Sequence, residues 1–235
     1  MPVLLKINEI ANNFAQKFHL NFIKENRYTM IIDGLSATLQ IAFFAIILGV
    51  ILGFILASMK LSKSKILNSI SYIYIDVIRG TPLTTQLLII NFVVFGTVPI
   101  NRVLVAIIAF GINSGAYVAE IIRAGILSVD KGQTEAGRSL GLSSASTMFN
   151  IIIPQSVKNI LPALSNEFIN LLKETAIVGY IALQDLTKAG DIIRSRTYDA
   201  YMPLLSTALI YYIIIKILTM FLEKLEKRLR KSDLR

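Results

Sequence analysis

Apolar residues run through this chain in long blocks separated by short clusters of charge, and the blocks are too long for a half-buried strand or the stripe of a surface helix. The clearest, from Leu35 to Ser58, reads LSATLQIAFFAIILGVILGFILAS without a charged residue. Roughly 20 such residues carry a helix across a bilayer core. The block ends at a basic cluster, Lys60, Lys63 and Lys65, and contains Gly49 and Gly53, a spacing that lets a second helix approach closely. A second block, from Ile66 to about Phe95, is longer than one crossing and is interrupted by Asp76 and by Arg79-Gly80-Thr81-Pro82. Pro82 has no N–H to return to the preceding turn, so a kink or break is predicted there. A third crossing is predicted from about Val103 to Ile122 and a last one from about Pro203 to Leu222. Between them, from about Met148 to Leu172, lies a fourth region whose Pro154 and Pro162 leave the start of its membrane part open. The fold class is therefore all-α, a polytopic membrane protein with about five transmembrane helices.

Composition agrees with this pattern. The 235 residues are 54% hydrophobic and 17% charged, with a mean hydropathy of +0.63, which sets the chain apart from ordinary soluble domains. The net charge of +9 raises nucleic acid as a partner, but the basic residues sit at the edges of apolar runs, where a membrane surface explains them and nucleic acid is not implied. There is no cysteine and one histidine, His19, so neither a thiolate nor a histidine metal centre is expected. Residues 1–30 lack the compact apolar core of a secretory signal, being interrupted by Lys6, Glu9, Lys17 and Lys24. Phe14, Phe18 and Phe22 fall on one helical stripe, so this segment reads either as an amphipathic helix at the membrane interface or as an extracytoplasmic polar tail. Residues 31–225 form one membrane domain, and residues 226–235 a basic tail.

Orientation follows from the basic residues near the ends of the crossings. With the Lys60 to Lys65 loop inside the cell, five crossings put the N-terminus outside, and put the Arg123 to Thr147 segment and the tail KLEKRLRKSDLR inside. The opposite loop carries Lys188, Arg194 and Arg196 against Asp185, Asp191 and Asp199 and is less basic.

The stretch EAGRSLGLSSASTMFNIIIP, Glu135 to Pro154, is polar where the chain is otherwise apolar. Its residues predict a short cytoplasmic helix near 134–142, with Thr134 as cap, Glu135 at the positive end and Gly141 as a left-handed terminator; Ser143 or Ser144 then caps the next helix. An ordinary helical turn between two crossings satisfies the same spacing. The pattern Glu135-Ala136-Gly137, Gly141, Ile151, Ile153-Pro154 closely resembles the EAA motif of ABC importer membrane subunits, with Gly137 where Ala is usual and Ile153 where Leu is usual. SGAYVAEIIRAGILSVDKGQTEAGRSLG, from Ser114, and RGTPLTTQ, from Arg79, look like the polar amino-acid branch of that family, the histidine, arginine and glutamine type. The resemblance covers about Gly34 to the C-terminus. It implies the type I importer permease fold in the plasma (inner) membrane of a bacterium, a second permease subunit identical or related, and an extracytoplasmic solute-binding protein. It also implies that Glu135, Ala136, Gly137, Gly141 and Pro154 serve coupling to a cytoplasmic ATPase. No GxxxxGK[ST] phosphate loop is present, so the chain is expected to be a transport subunit rather than an enzyme, with ATP and Mg held by the partner ATPase.

Polar groups deep in a membrane face a cavity or a partner. Asn113, Tyr117 and Glu120 recur at one-face spacing on the third crossing; Asn166, Asn170 and Lys173 do so on the fourth, beside Glu167 and Glu174. Arg79, Thr81 and Gln86 mark the break. Together they supply donors, acceptors and both charges, as an amino-acid substrate requires. Each also has a plain structural reading: Glu120 as interfacial, Lys173 and Glu174 as paired with neighbours, Arg79 as snorkelling, and Lys216 in the last crossing as snorkelling or paired within a dimer. An importer of another small solute, or an ion-coupled secondary transporter with broken helices, would share these residues.

Overall fold

The structure is a computed structural model and describes residues 2–230, with side chains from residue 6 to residue 228; Lys231 and Arg235 of the basic tail lie outside the described residues. Helix α1 (Pro2–Phe18) leads through a π-helical turn, His19–Ile23, and a tight turn in which Glu25 and Asn26 adopt φ of 59° and 53°. The predicted amphipathic stripe is present: the Phe14 and Phe18 rings stack at 6.4 Å, Phe22 lies tilted against Phe18 at 5.2 Å, and only Phe22 of the three is buried.

Helix α2 (Tyr28–Lys60) begins seven residues before the apolar block, because Asp33 interrupts the hydropathy without interrupting the helix. Helix α3 (Lys65–Arg79) and helix α4 (Leu83–Ile89), extended by a π-helical turn to Val94, meet at a bend of 103° over Gly80, Thr81 and Pro82, the predicted break. Helix α5 (Arg102–Leu127) is followed by two short helices, α6 (Lys131–Ser139) and α7 (Ser144–Thr147), a π-helical turn before Pro154, and α8 (Ile153–Glu174). A 3-10 segment, Thr175–Ile181, leads to α9 (Leu186–Thr197) and α10 (Tyr201–Arg230).

Among the described residues, α2, α5 and α10 are each long and apolar enough to cross a membrane, and the bent α3–α4 pair makes a fourth such span. The fifth expected span, α8, has 22 residues, about 33 Å of helix and enough to cross, but it is less apolar than the others. Asn159, Asn166, Glu167, Asn170, Lys173 and Glu174 lie on it, and it packs between α5 and α10. A helix shielded by neighbours does not need the uniform apolarity that lipid contact demands.

The centre of the bundle is the α2–α5 pair. Its backbones approach through small residues on both sides. A methyl on Gly49 would meet Ser114 at 2.9 Å, one on Gly53 would meet Val118 at 2.5 Å, and Gly111 and Gly115 lie under Leu48 and Leu52. Around this seam Ile41, Ala45, Leu87, Ala109, Phe110 and Leu171 form the main core. Helix α9, capped by Asp185, packs on the N-terminal part of α2 at Gly34. Helix α10 touches α8 and α9, yet only 6% of its most apolar stretch is buried, as expected of a helix turned toward lipid.

Candidate functional site

The bend between α3 and α4 is held by its own polar residues. Were α3 to continue as a helix, residue 82 would donate to the Ile78 carbonyl. Pro82 has no N–H, and the Gln86 side-chain amide donates to Ile78 O instead, at 2.7 Å. The same nitrogen reaches Thr81 Oγ1 at 2.8 Å, and Thr81 Oγ1 in turn donates to Val77 O at 2.9 Å. Gln86 Oε1 accepts from Asn113 Nδ2 at 3.0 Å, fastening the bend to the middle of α5. Both Gln86 and Asn113 are buried. One residue further along α5, the buried Ser114 hydroxyl donates to Glu167 on α8 at 2.8 Å. Adjacent residues of α5 thus bond to α4 and to α8.

Toward the ends of α2 and α5 the charges pair. Lys60 donates to Glu120 Oε1 at 2.5 Å, and Arg123 donates to Oε2 at 2.9 and 3.1 Å, so both carboxylate oxygens are engaged. Arg79 lies over the Tyr117 ring, 5.2 Å from its centroid, a cation–π contact between α3 and α5. Arg79, Tyr117 and Glu120 line a cavity of about 480 Å³ with Ser128 and Asn159, while Arg79 and Glu120 also face a second cavity of about 310 Å³.

The sequence-predicted residues therefore divide into groups. Thr81, Gln86 and Asn113 form one network, Ser114 and Glu167 lie beside it, and Arg79, Tyr117 and Glu120 meet at the cavities. Asn170, Lys173 and Glu174 are exposed toward the other end of α8 and join neither group.

The short helix α6 also departs in detail from expectation. Its cap is Asp130, which accepts from Gly132 N at 2.7 Å, and not Thr134; the helix starts at Lys131 and Thr134 lies inside it. An Asp side chain two residues ahead of a free N–H outcompetes a Thr already committed to helical geometry. Gly141 closes the helix at φ 82°, with Arg138 bonded to Leu142 O, and Ser143 caps α7 by accepting from Ser146 N. Gly137 is the buried residue of α6: a methyl there would meet Thr147 Cγ2 at 2.9 Å and Ile151 at 3.1 Å. That contact leaves little room for any side chain at residue 137. Glu135 and Ala136 are exposed, as is Leu140 with 82% of its surface open. Behind α6, Gln155 bonds Ile151 O and reaches Gln133, and Asn159 donates to Ser128 Oγ at the end of α5. The first turns of α8 therefore touch both α6 and the end of α5.

Residues 24–231 match the family of binding-protein-dependent transport system inner membrane components. The chain belongs to that family. It is 39% identical to a putative glutamine transport system permease protein of Rickettsia typhi over 201 residues, 85% of this chain and 92% of that protein. It is 40% identical to an arginine transport system permease protein of Bacillus subtilis over 205 residues, covering 86% and 94%. Among solved structures, an amino acid ABC transporter with histidines shares 47% identity at a TM-score of 0.82, covering 88% of this chain and 98% of that one. The inward-facing methionine transporter MetNI shares the fold at a TM-score of 0.70 and 18% identity. The family match begins at Lys24, after α1.

Four residues here escape sequence reasoning. Ser114 is a lone hydroxyl in an apolar helix and leaves no periodic trace. Lys60 and Arg123 read as membrane-edge cations and become the partners of Glu120 only when α2 and α5 are side by side. Asp130 is legible in retrospect as an acidic residue two before Gly132.

Proposed function

We propose that the chain is the membrane-spanning permease subunit of an ATP-driven importer of a polar amino acid. It works with a second permease subunit, identical or related, with cytoplasmic ATPase subunits that hold ATP and Mg, and with an extracytoplasmic solute-binding protein. The N-terminus lies outside and the C-terminus in the cytoplasm, in keeping with the basic ends of α2 and α10. The observation that carries this reading is α6, an exposed helix of nine residues seated by Gly137 on the root of α8. Glu135, Ala136 and Gly141 present it to the ATPase, and Pro154 sets the start of the helix it drives. The substrate route uses Arg79, Thr81, Gln86, Asn113, Tyr117, Glu120 and Glu167, and is continued on α8 by Asn170, Lys173 and Glu174. Relatives named for glutamine and arginine transport support a polar amino acid as cargo. Nucleotide-driven closure of the ATPases moves two such helices, and the bundle alternates between outward and inward openings.

The test is reconstitution of the chain with its ATPase and binding protein in lipid, with ATP hydrolysis measured against a panel of amino acids. Hydrolysis should rise with one polar amino acid or a small related set. Hydrolysis that no amino acid raises, together with an ATPase that does not co-purify, would refute the reading.

A further inference from the structure

The 310 Å³ cavity lies between the end of α2, the inner half of α3 and the facing side of α5, lined by Lys60, Tyr72, Asp76, Arg79 and Glu120. Its size is at the small end of the range for ligand sites, about 300–1,000 Å³. Two of its charges neutralise each other: Glu120 is saturated by Lys60 and Arg123, and Lys60 also stands 5.7 Å from the Tyr72 ring centre. The other two do not. Asp76 and Arg79 are one turn apart on α3, a spacing at which opposite charges usually pair, yet neither side chain makes a hydrogen bond or ion pair among the described residues. Arg79 is drawn instead over Tyr117 on α5, which leaves an open carboxylate and an open guanidinium facing one cavity. Asp76 is eleven residues into α3 from Lys65, about 17 Å along the helix. The Asp76 side chain is exposed, so its carboxylate is open to a charge that enters the cavity.

We propose that this cavity is a cytoplasmic-side station for the backbone zwitterion of an amino acid, in which Asp76 receives the ammonium and Arg79 the carboxylate. The station rests on the importer reading and adds a second stop to it, apart from the Gln86–Asn113 and Ser114–Glu167 pairs. Arg79 stands at the junction, since it belongs both to the bend and to the two cavities. Exchanging the Tyr117 face for a substrate carboxylate moves the guanidinium without breaking an ion pair, so the transfer meets little resistance. With Glu120 already saturated, recognition is confined to the two backbone charges, and the station is indifferent to the side chain carried.

The test uses the complete importer, with its ATPase, second permease subunit and binding protein. In the nucleotide-free complex without binding protein, binding of the transported amino acid is compared with that of its methyl ester, which lacks the carboxylate, and its N-acetyl derivative, which lacks the ammonium. Two classes of site are expected in the native complex. Asp76→Asn and Arg79→Gln each weaken one class by at least about tenfold, the loss of a charge-assisted bond, and leave the other in place. Each blocked derivative loses the same class. Transport by the variants slows in turnover, while the concentration of loaded binding protein giving half-maximal rate is unchanged. Unaltered stoichiometry and affinity in both variants, in a complex whose hydrolysis still responds to the amino acid, would overturn the station and leave the importer reading intact. Loss of the second permease subunit on Asp76→Asn would overturn it as well, since the carboxylate would then be an interface residue. A native complex that responds to no amino acid refutes the importer reading itself.

Discussion

Replacing Gln86 by Leu removes the residue that repairs the bend, and its effect can be worked out bond by bond. The side chain is buried, donates to Ile78 O and to Thr81, and accepts from Asn113 Nδ2. Leu keeps the volume and loses all of it, so a backbone carbonyl and a buried amide are stranded together. Each stranded group costs about 1–3 kcal/mol in a dry interior, but hydrogen bonds between membrane helices measure nearer 0.6 kcal/mol on average. The Ile78 carbonyl also keeps a long contact from Thr81 Oγ1 at 3.5 Å. The lower part of the range therefore wins, and the expected loss is about 2 kcal/mol, read as a shift in equilibrium unfolding of the purified chain in mixed micelles. Asn113→Leu alone should cost about 1 kcal/mol. The double variant should lose less than the sum by about 1 kcal/mol, because removing both partners leaves no unpaired amide. Strict additivity, or a Gln86→Leu change within about 0.5 kcal/mol of the native chain, would refute the claim that Gln86 ties the bend to α5.

Three further outcomes follow from the same geometry. Gly53→Ala drives a methyl to 2.5 Å from Val118 and should destabilise by about 1–3 kcal/mol, with Val118→Ala restoring most of the loss in the same unfolding assay. Gly141 has open space around it but φ of 82°, so Gly141→Val costs about 1–2 kcal/mol through the backbone alone; Gly141→Asn should be nearly silent, and transport per ATP hydrolysed should fall in the first and hold in the second. On α9, hydrogen bonds from Arg194, then Lys188, hold the Asp191 carboxyl below its ordinary value. A depressed native value stabilises above the unfolded value and is lost as pH falls through the native one; the site is exposed, so the effect is below about 1 kcal/mol. Hydrogen exchange along α9 should then be steady from neutral pH to about 5, loosen only below about 4, and lose that acid step in Asp191→Asn.

The long apolar blocks made α2, α5 and α10 legible, because close packing between α2 and α5 and the open face of α10 both leave few places for charge. The break at Pro82 was equally legible, since proline removes a donor wherever it stands. The N-terminal limit of α2 was not, because Asp33 rides within a helix whose packing, at Gly34 against Asp185, is made by a segment some 150 residues away. Composition could not fix α8 as a span either, since its polar residues are tolerated only through neighbours. The site followed the same division: Gln86 and Asn113 stood out as polar groups in apolar surroundings, whereas their bond, and the Lys60–Glu120–Arg123 cluster, exist only once the helices are side by side.

The absence of cysteine from the chain permits a direct test of what α6 does. A single cysteine at Ala136, exposed on α6, should cross-link to the ATPase subunit in the assembled importer in membranes. The yield should change when nucleotide is bound and trapped, and a cysteine at Tyr198, 96% exposed at the far end of the bundle, should not be captured. Cross-linking of the Tyr198 position to the ATPase, or an Ala136 position that never reaches it in a transport-competent complex, would contradict the assignment of α6 as the element through which ATP hydrolysis moves the bundle.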